Sequence, residues 1–450
     1  MTSLLRRPAL PVALVTFTVL VATSGRYGYH RDELYFLAAG RHLDWGYPDQ
    51  PPLVPLLARV LDTGSLVVLR FPSAITSAVV VLLAGLMAER LGAGRAAQWL
   101  AAGGTALGGI VLGTGHLLST STMLMVGTVV IIHLVVVVGQ GGDRRLWLLV
   151  GLVAGATFQA HVLVGFVLLA LALASRLRPG PLVAGAVALV IGLPYLLWQA
   201  TNGWPQLDVA SNIADGGSVS SVSRPLFLVL LVLQCGPWLA PVWLTGLWRS
   251  LRDPALRVVA QSFLVLIVMF LVMGGKPYYV AGFVPFFLAV GAQPLIDAVG
   301  RWAAPALVVL STPALVFTLP LLPISETSAV LAVNPDAGET IGWPSFADQV
   351  ESATPEGYVV VTANYGEAGA LERYTDLEVF SGHNGYGLWE VPSGSTPALL
   401  VGFDPVFCVE SEEVGRIEMP VDNDEDGTLL TTCTPVAPWA ELWPGIRRLG

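Results

Sequence analysis

Apolar runs long enough to cross about 30 Å of hydrocarbon recur throughout the first 324 residues, and this feature constrains the fold more than any other. Inside lipid no water meets the backbone polar groups, so each run has to close its own hydrogen bonds as a helix. Spans are predicted near 8–25, 65–89, 96–114, 121–139, 146–160, 162–176, 181–200, 225–248, 256–273, 278–298 and 303–322. The fifth and sixth are short, and two arrangements fit them: separate spans, or one bent or broken helix. The first is too long, and lacks the small-residue cleavage site, to read as a removable signal peptide. The fold class is therefore a polytopic α-helical membrane protein with about eleven spans.

Composition agrees. Apolar residues make up 54% of the chain and charged residues 12%, with a mean hydropathy of +0.68. A soluble protein of this length needs more charge on its surface. The charge is also divided. Residues 1–324 carry a net +8 and residues 325–450 a net −17, together the formal −9 of the chain. We therefore expect a membrane domain over 1–324 and an acidic, water-exposed domain over 325–450. An acidic soluble domain argues against a nucleic-acid partner. Of the 23 basic residues all but Lys276 are arginine, a bias typical of GC-rich bacterial genomes.

Loop arginines set the expected orientation. Arg6, Arg7, Arg90, Arg95, Arg144, Arg145, Arg176, Arg178, Arg249, Arg252, Arg257 and Arg301 fall in alternate loops, which the positive-inside rule places in the cytoplasm. The intervening loops, 26–64, 201–224 and 274–277 among them, then face outward. With eleven spans the N-terminus is cytoplasmic and the acidic tail lies outside a bacterial plasma membrane. Loop 26–64 is dense in ionisable and aromatic groups and too rich to be a linker. Loop 201–224 holds GGSVSSVS, which reads as a mobile lid. The tail shows strand-like runs at 357–363 and 398–403 and a helical run near 344–352, so a small α/β domain is expected, ending in irregular Pro- and Trp-rich chain.

Chemistry concentrates at the outward boundaries. Asp32 and Glu33 follow the first span by a few residues. A carboxylate there, partly desolvated, suits a general base toward an acceptor hydroxyl; pairing with Arg31 or another loop arginine to hold the loop is the alternative. Lys276, in GGKPYY, is placed to meet a lipid-linked phosphate with Tyr278 and Tyr279 beside it, or to snorkel as an anchor. Arg70, in LRFPSA, has the same two readings. His42, His116 and His161 fall near outward helix ends and suit hydrogen bonding better than metal ligation. His42, Asp49, Gln50, His116 and Trp204 are candidates for the donor and acceptor pocket.

These residues lie within motifs that resemble a known family. RDELYFLAAGRHLDWGYPDQPPL is similar to the first outer loop of the prokaryotic branch of the protein O-mannosyltransferase and lipid A aminoarabinose transferase family. LRFPSA (69–74), GHLLST (115–120), LPYLLWQATNGWP (193–205), PVWLTGLW (241–248), GKPYYVAGFVP (275–285), ETIGW (339–343), TANYGEAGAL (362–371) and SGHNGYGLW (381–389) follow in the family's order. The resemblance implies a C-type glycosyltransferase that uses a polyprenyl-phosphate sugar and an acid of the first outer loop, which Asp32 matches, with Glu33 as its neighbour. It implies inverting transfer of a mannose, an arabinose-type sugar or another hexose to a cell-envelope glycan, glycolipid or protein. The departures are two. Leu124 stands where relatives often carry a second acid, and TFQAH (157–161) replaces a Thr-Lys-Tyr motif. No cofactor is therefore expected, and a divalent metal is not favoured, although Asp49, Asp208 and Asp215 remain as spare oxygen ligands. Two rival functions fit the same spans: a lipid-linked-sugar flippase, and a catalytically weakened relative acting as an interaction subunit.

Cys235 lies in an apolar span, whereas Cys408 and Cys433 both fall in the tail. No spacing matches a zinc site. With the tail outside, an oxidising compartment favours a Cys408–Cys433 disulfide over two free thiols. The acidic stretch between them, DNDED included, reads as an excursion with little structure of its own.

Overall fold

The computed structural model describes residues 7–215 and 222–450. Most of the GGSVSSVS segment, read above as a lid, lies outside the described residues, as does Arg6. The chain forms two compact units: one from the stretches ending at Ser24, Leu69–Trp198 and Ile213–Leu319, the other from Gly25–Val68, Gln199–Asn212 and Pro320–Gly450.

The first unit is helical throughout its regular structure. Among the described residues, four helices are long and apolar enough to cross a membrane: Leu66–Arg90, Thr120–Gly139, Pro179–Thr201 and Pro277–Val299. Shorter apolar helices cover Ala9–Thr23, Leu146–Phe158, Val164–Ala174, Arg257–Met273 and Ala303–Thr318. The chain is a multi-pass membrane protein. Two segments expected to be continuous are broken. Arg95–Ala106 and Gly109–His116 meet at 52°, and Arg224–Gln234 and Pro237–Arg252 meet at 86°. At the second break Gly236 has a φ of 94°, a conformation L side chains rarely adopt, and Pro237 next to it has no N–H to continue the ladder. Stretches 146–160 and 162–176 form two separate helices, Leu146–Phe158 and Val164–Ala174.

Close backbone approach holds part of this unit together. A Cβ added at Gly291 would run into the Val242 carbonyl, and one at Gly246 into the Phe287 carbonyl. Helices Ala240–Arg252 and Val284–Val299 therefore cross with glycine on both sides. Lipid-exposed helices gain little from apolar burial, so such small-residue contacts carry much of their association.

In the second unit, loop 26–64 forms two helices, Arg31–Arg41 and Leu53–Leu61. The first starts in a capping box. His30 Nδ1 lies 3.2 Å from the Asp32 backbone nitrogen, and the Glu33 carboxylate accepts from the His30 backbone N–H at 2.9 Å. This helix packs on Tyr365–Tyr374, where Gly369 leaves room for Leu34 and Gly366 for Arg31.

The tail contains a five-stranded sheet: β1 (Val359–Thr362), β2 (Val379–Ser381), β3 (Ala398–Val401), β4 (Cys408–Arg416) and β5 (Leu429–Pro435), in the order β2-β1-β3-β5-β4. β1 runs parallel to β2 and β3, and β5 runs antiparallel to β3 and β4. β1 and β3 are buried at every residue, as apolar strands covered on both faces must be. The strand-like runs read from sequence are β1 and β3, and the helical run is Trp343–Ala353.

Two expectations for the tail are corrected. Its end is not irregular: Trp439–Ile446 is a helix, because Trp439 and Trp443, one turn apart, both sink into the sheet's core. Their indole N–H groups donate to the carbonyls of Thr396 at 2.8 Å and Gly387 at 3.2 Å. The acidic stretch after Cys408 is irregular only in part. It supplies most of β4 and β5, with DNDED in the turn between them, and a disulfide joins Cys408 to Cys433 across that pair.

Candidate active site

The second unit gathers the first-loop acids with residues of the tail. Asp32 lies in the first turn of helix Arg31–Arg41, its side chain 47% exposed. Its Oδ1 accepts a hydrogen bond from the Tyr365 hydroxyl at 2.8 Å. Glu33, one residue on, is fully buried and caps the helix. The neighbouring acids therefore differ: Asp32 presents a carboxylate toward solvent, and Glu33 holds the turn that presents it.

Around them sits a charged cluster. Arg31 reaches Glu339 at 3.3 Å and Asp424 at 3.4 Å, and its guanidinium lies 5.1 Å from the Tyr365 ring centroid. His30 Nε2 lies 3.5 Å from Asp336. Burial opposes the charged imidazolium, but Asp336, then Asp32 and Glu33, outweigh it and carry His30 up to about 9. Glu425 is buried with no hydrogen-bond partner for its carboxylate, and burial, reinforced by Glu339, pushes it up to about 8. Arg31 thus supplies positive charge to an acid-rich centre.

A second group surrounds Asp49. Its Oδ1 accepts from the Tyr35 hydroxyl at 2.8 Å, while the Gly385 backbone N–H donates to the same hydroxyl at 3.1 Å. Burial raises Asp49 to about 7. Tyr35 packs 4.8 Å from Tyr365, which links the two groups. Gln50 is buried, with neither side-chain amide atom hydrogen-bonded. His42 stacks on Trp389, rings 4.4 Å apart and 9° from parallel, and burial lowers its pKa. Trp204 is 43% exposed with a φ of 62°.

The remaining candidates belong to the helical unit. Lys276 is 8% exposed and precedes the 3-10 turn Pro277–Phe283. Tyr278 and Tyr279 meet edge to face at 4.9 Å, and Tyr279 lies 5.9 Å from His161. Arg70 is fully buried; its Nη1 donates to the Ser24 carbonyl at 2.7 Å and lies 3.4 Å from His116 Nε2. Leu124 is buried in the apolar core. Among the described residues, no three His, Cys, Asp or Glu side chains converge as metal ligands.

Sequence reasoning missed Tyr365 and the Arg31 cluster as parts of the site. Tyr365 was nonetheless visible inside TANYGEAGAL, and Glu339 inside ETIGW.

No family model matches the sequence, and no curated protein matches it. Solved structures do. ArnT from Cupriavidus metallidurans in the apo state aligns at a TM-score of 0.61 and 15% identity, covering 94% of this chain and 97% of that one. The same protein bound to undecaprenyl phosphate aligns at 0.59 and 17%, covering 95% and 97%. At such identities the likeness is one of fold: the chain has the C-type glycosyltransferase fold that its motifs resembled.

Proposed function

We propose that the chain is a membrane glycosyltransferase that moves a sugar from a polyprenyl-phosphate carrier to an acceptor hydroxyl. The fold shared with ArnT supports this, and ArnT has been captured with undecaprenyl phosphate bound. The observation that carries it is Asp32, a half-exposed carboxylate anchored through one oxygen by Tyr365 at 2.8 Å. A base needs that combination: fixed in direction, yet open to a substrate.

In the proposed reaction Asp32 takes the proton of the acceptor hydroxyl while its oxygen attacks the anomeric carbon. The bond from that carbon to the phosphate oxygen breaks with inversion, and the electron pair leaves on the lipid phosphate. Lys276 stabilises the developing phosphate charge, with Tyr278 and Tyr279 as hydrogen-bond donors. Arg70 is the second cation, although its guanidinium already serves Ser24. His42, Asp49, Gln50, His116 and Trp204 are assigned to the donor and acceptor pocket. No metal is required in this scheme.

The proposed topology has eleven spans in a membrane domain over 1–324, a cytoplasmic N-terminus, and residues 325–450 outside a bacterial plasma membrane. The donor sugar is a mannose, an arabinose-type sugar or another hexose, and the acceptor a cell-envelope glycan, glycolipid or protein. A second reading, a weakened relative acting as an interaction subunit, draws on Leu124 in place of an acid.

The test is release of polyprenyl phosphate from labelled polyprenyl-phosphate sugars by the protein in nanodiscs, with and without chelator. Turnover that Asp32→Asn abolishes and a chelator leaves alone supports the proposal. Near-normal turnover in Asp32→Asn refutes the base. A folded wild-type chain that moves the lipid across the bilayer without cleaving it is a flippase, and one that does neither is an interaction subunit.

A further inference from the structure

We infer that Tyr365 is a positioning residue for the transfer reaction: its hydroxyl hydrogen bond aims the Asp32 carboxylate at the acceptor. This rests on the proposed role of Asp32.

Tyr365 is itself firmly placed. It is the first residue of helix Tyr365–Tyr374, whose start is fixed by a capping box. The Asn364 side chain accepts from the Glu367 backbone N–H at 2.9 Å, and the Glu367 carboxylate accepts from the Asn364 backbone N–H at 2.9 Å. Its ring lies 4.8 Å from Tyr35 and 4.8 Å from His383, with the Arg31 guanidinium 5.1 Å from its centroid. Three neighbours thus hold the ring, and its O–H donates to Asp32 Oδ1 at 2.8 Å.

The consequence for a base is specific. An aspartate has one freely turning carboxylate, and a proton must be met along a lone pair. A hydrogen bond to Oδ1 removes that rotation and leaves the remaining lone pairs in one orientation. The groups that interact with that carboxylate are His30 and Arg31 on its own turn, Asp49 on the following loop, and Tyr365 from the tail. Tyr365→Phe leaves all of them in place, keeps the ring, and deletes only the donor.

The experiment measures kcat and donor KM of transfer for wild type, Tyr365→Phe and Asp32→Asn, each checked for a single folded peak in detergent. Losing a hydrogen bond to a charged group predicts a kcat lower by about tenfold to a hundredfold in Tyr365→Phe. Its donor KM stays within about twofold. A purely structural tyrosine would lower the yield or raise KM and leave the kcat of the folded fraction alone. Wild-type kcat in Tyr365→Phe, with Asp32→Asn inactive, overturns the inference alone. Activity in Asp32→Asn overturns the base assignment beneath it. If Tyr365→Phe does not fold, 3,5-difluorotyrosine at position 365 keeps the ring and strengthens the donor. Its kcat then departs from wild type at an unchanged donor KM, and a wild-type kcat overturns the inference.

Discussion

Breaking the Cys408–Cys433 disulfide tests both the energetics of the tail and the side of the membrane on which it lies. The two cysteines are 25 residues apart, and the chain-entropy relation for a loop of that size gives about 3.5 kcal/mol of stabilisation through the unfolded chain. The cross-link joins β4, an exposed edge strand, to β5, which pairs with β3 inside the sheet. β4 is acidic and has only one neighbour, so little else restrains it once the link is cut. Cys408→Ala is the cleaner perturbation. Cys433 is 1% exposed in the apolar core, where a thiol packs as a small hydrophobe and a serine hydroxyl would add its own penalty. For a cooperative unit of about 150–250 residues, 3.5 kcal/mol corresponds to a Tm lower by roughly 7–14 °C. The assay is tryptophan fluorescence on heating, comparing wild type with and without reductant and Cys408→Ala in both conditions. Reductant should lower the wild-type Tm to that of the variant and leave the variant unmoved. Equal melting of all four samples would refute the energetic argument. Thiol labelling of membranes from unreduced cells gives the second result. Two reactive tail cysteines would place the tail in a reducing compartment and end the eleven-span topology.

Lys276→Met is expected to raise the apparent donor constant about tenfold or more, from one lost charge-assisted contact; an unchanged constant with a lower yield makes Lys276 an anchor. His30 has its folded pKa raised from 6.5 to about 9, so the stability it contributes is complete below pH 6.5 and is lost as pH rises through about 9. His30→Asn keeps a good N-cap but cannot titrate, and thermal melts across that window should show its decline flattened relative to wild type. Gly291→Val puts two methyls against the Val242 carbonyl and should sharply reduce the yield of monodisperse protein, whereas Gly185→Val, where a Cβ meets nothing within 4 Å, should not.

What the sequence determined by itself was where most of the long apolar helices fall. A helix in lipid satisfies its own backbone and needs only a local run of apolar residues, so helices such as Thr120–Gly139 and Arg257–Met273 fall on the runs expected at 121–139 and 256–273. The C-type fold was legible for a related reason: its motifs are short, local and in order. Breaks were harder, since hydropathy averaged over a span's length passes over Gly236–Pro237, although the pair is itself a turn signal. Long-range pairings were not legible at all. Trp439–Ile446 becomes a helix because the sheet offers its two tryptophans a core, and the acidic β4 becomes a strand because β5 is beside it. The site divides in the same way. Asp32 could be picked out from its place after the first span, but its partner Tyr365 stands 333 residues further along the chain. The differing duties of Asp32 and Glu33 could not be read from two adjacent acids, because only the folded turn sends one carboxylate inward to a backbone N–H and the other outward to a tyrosine.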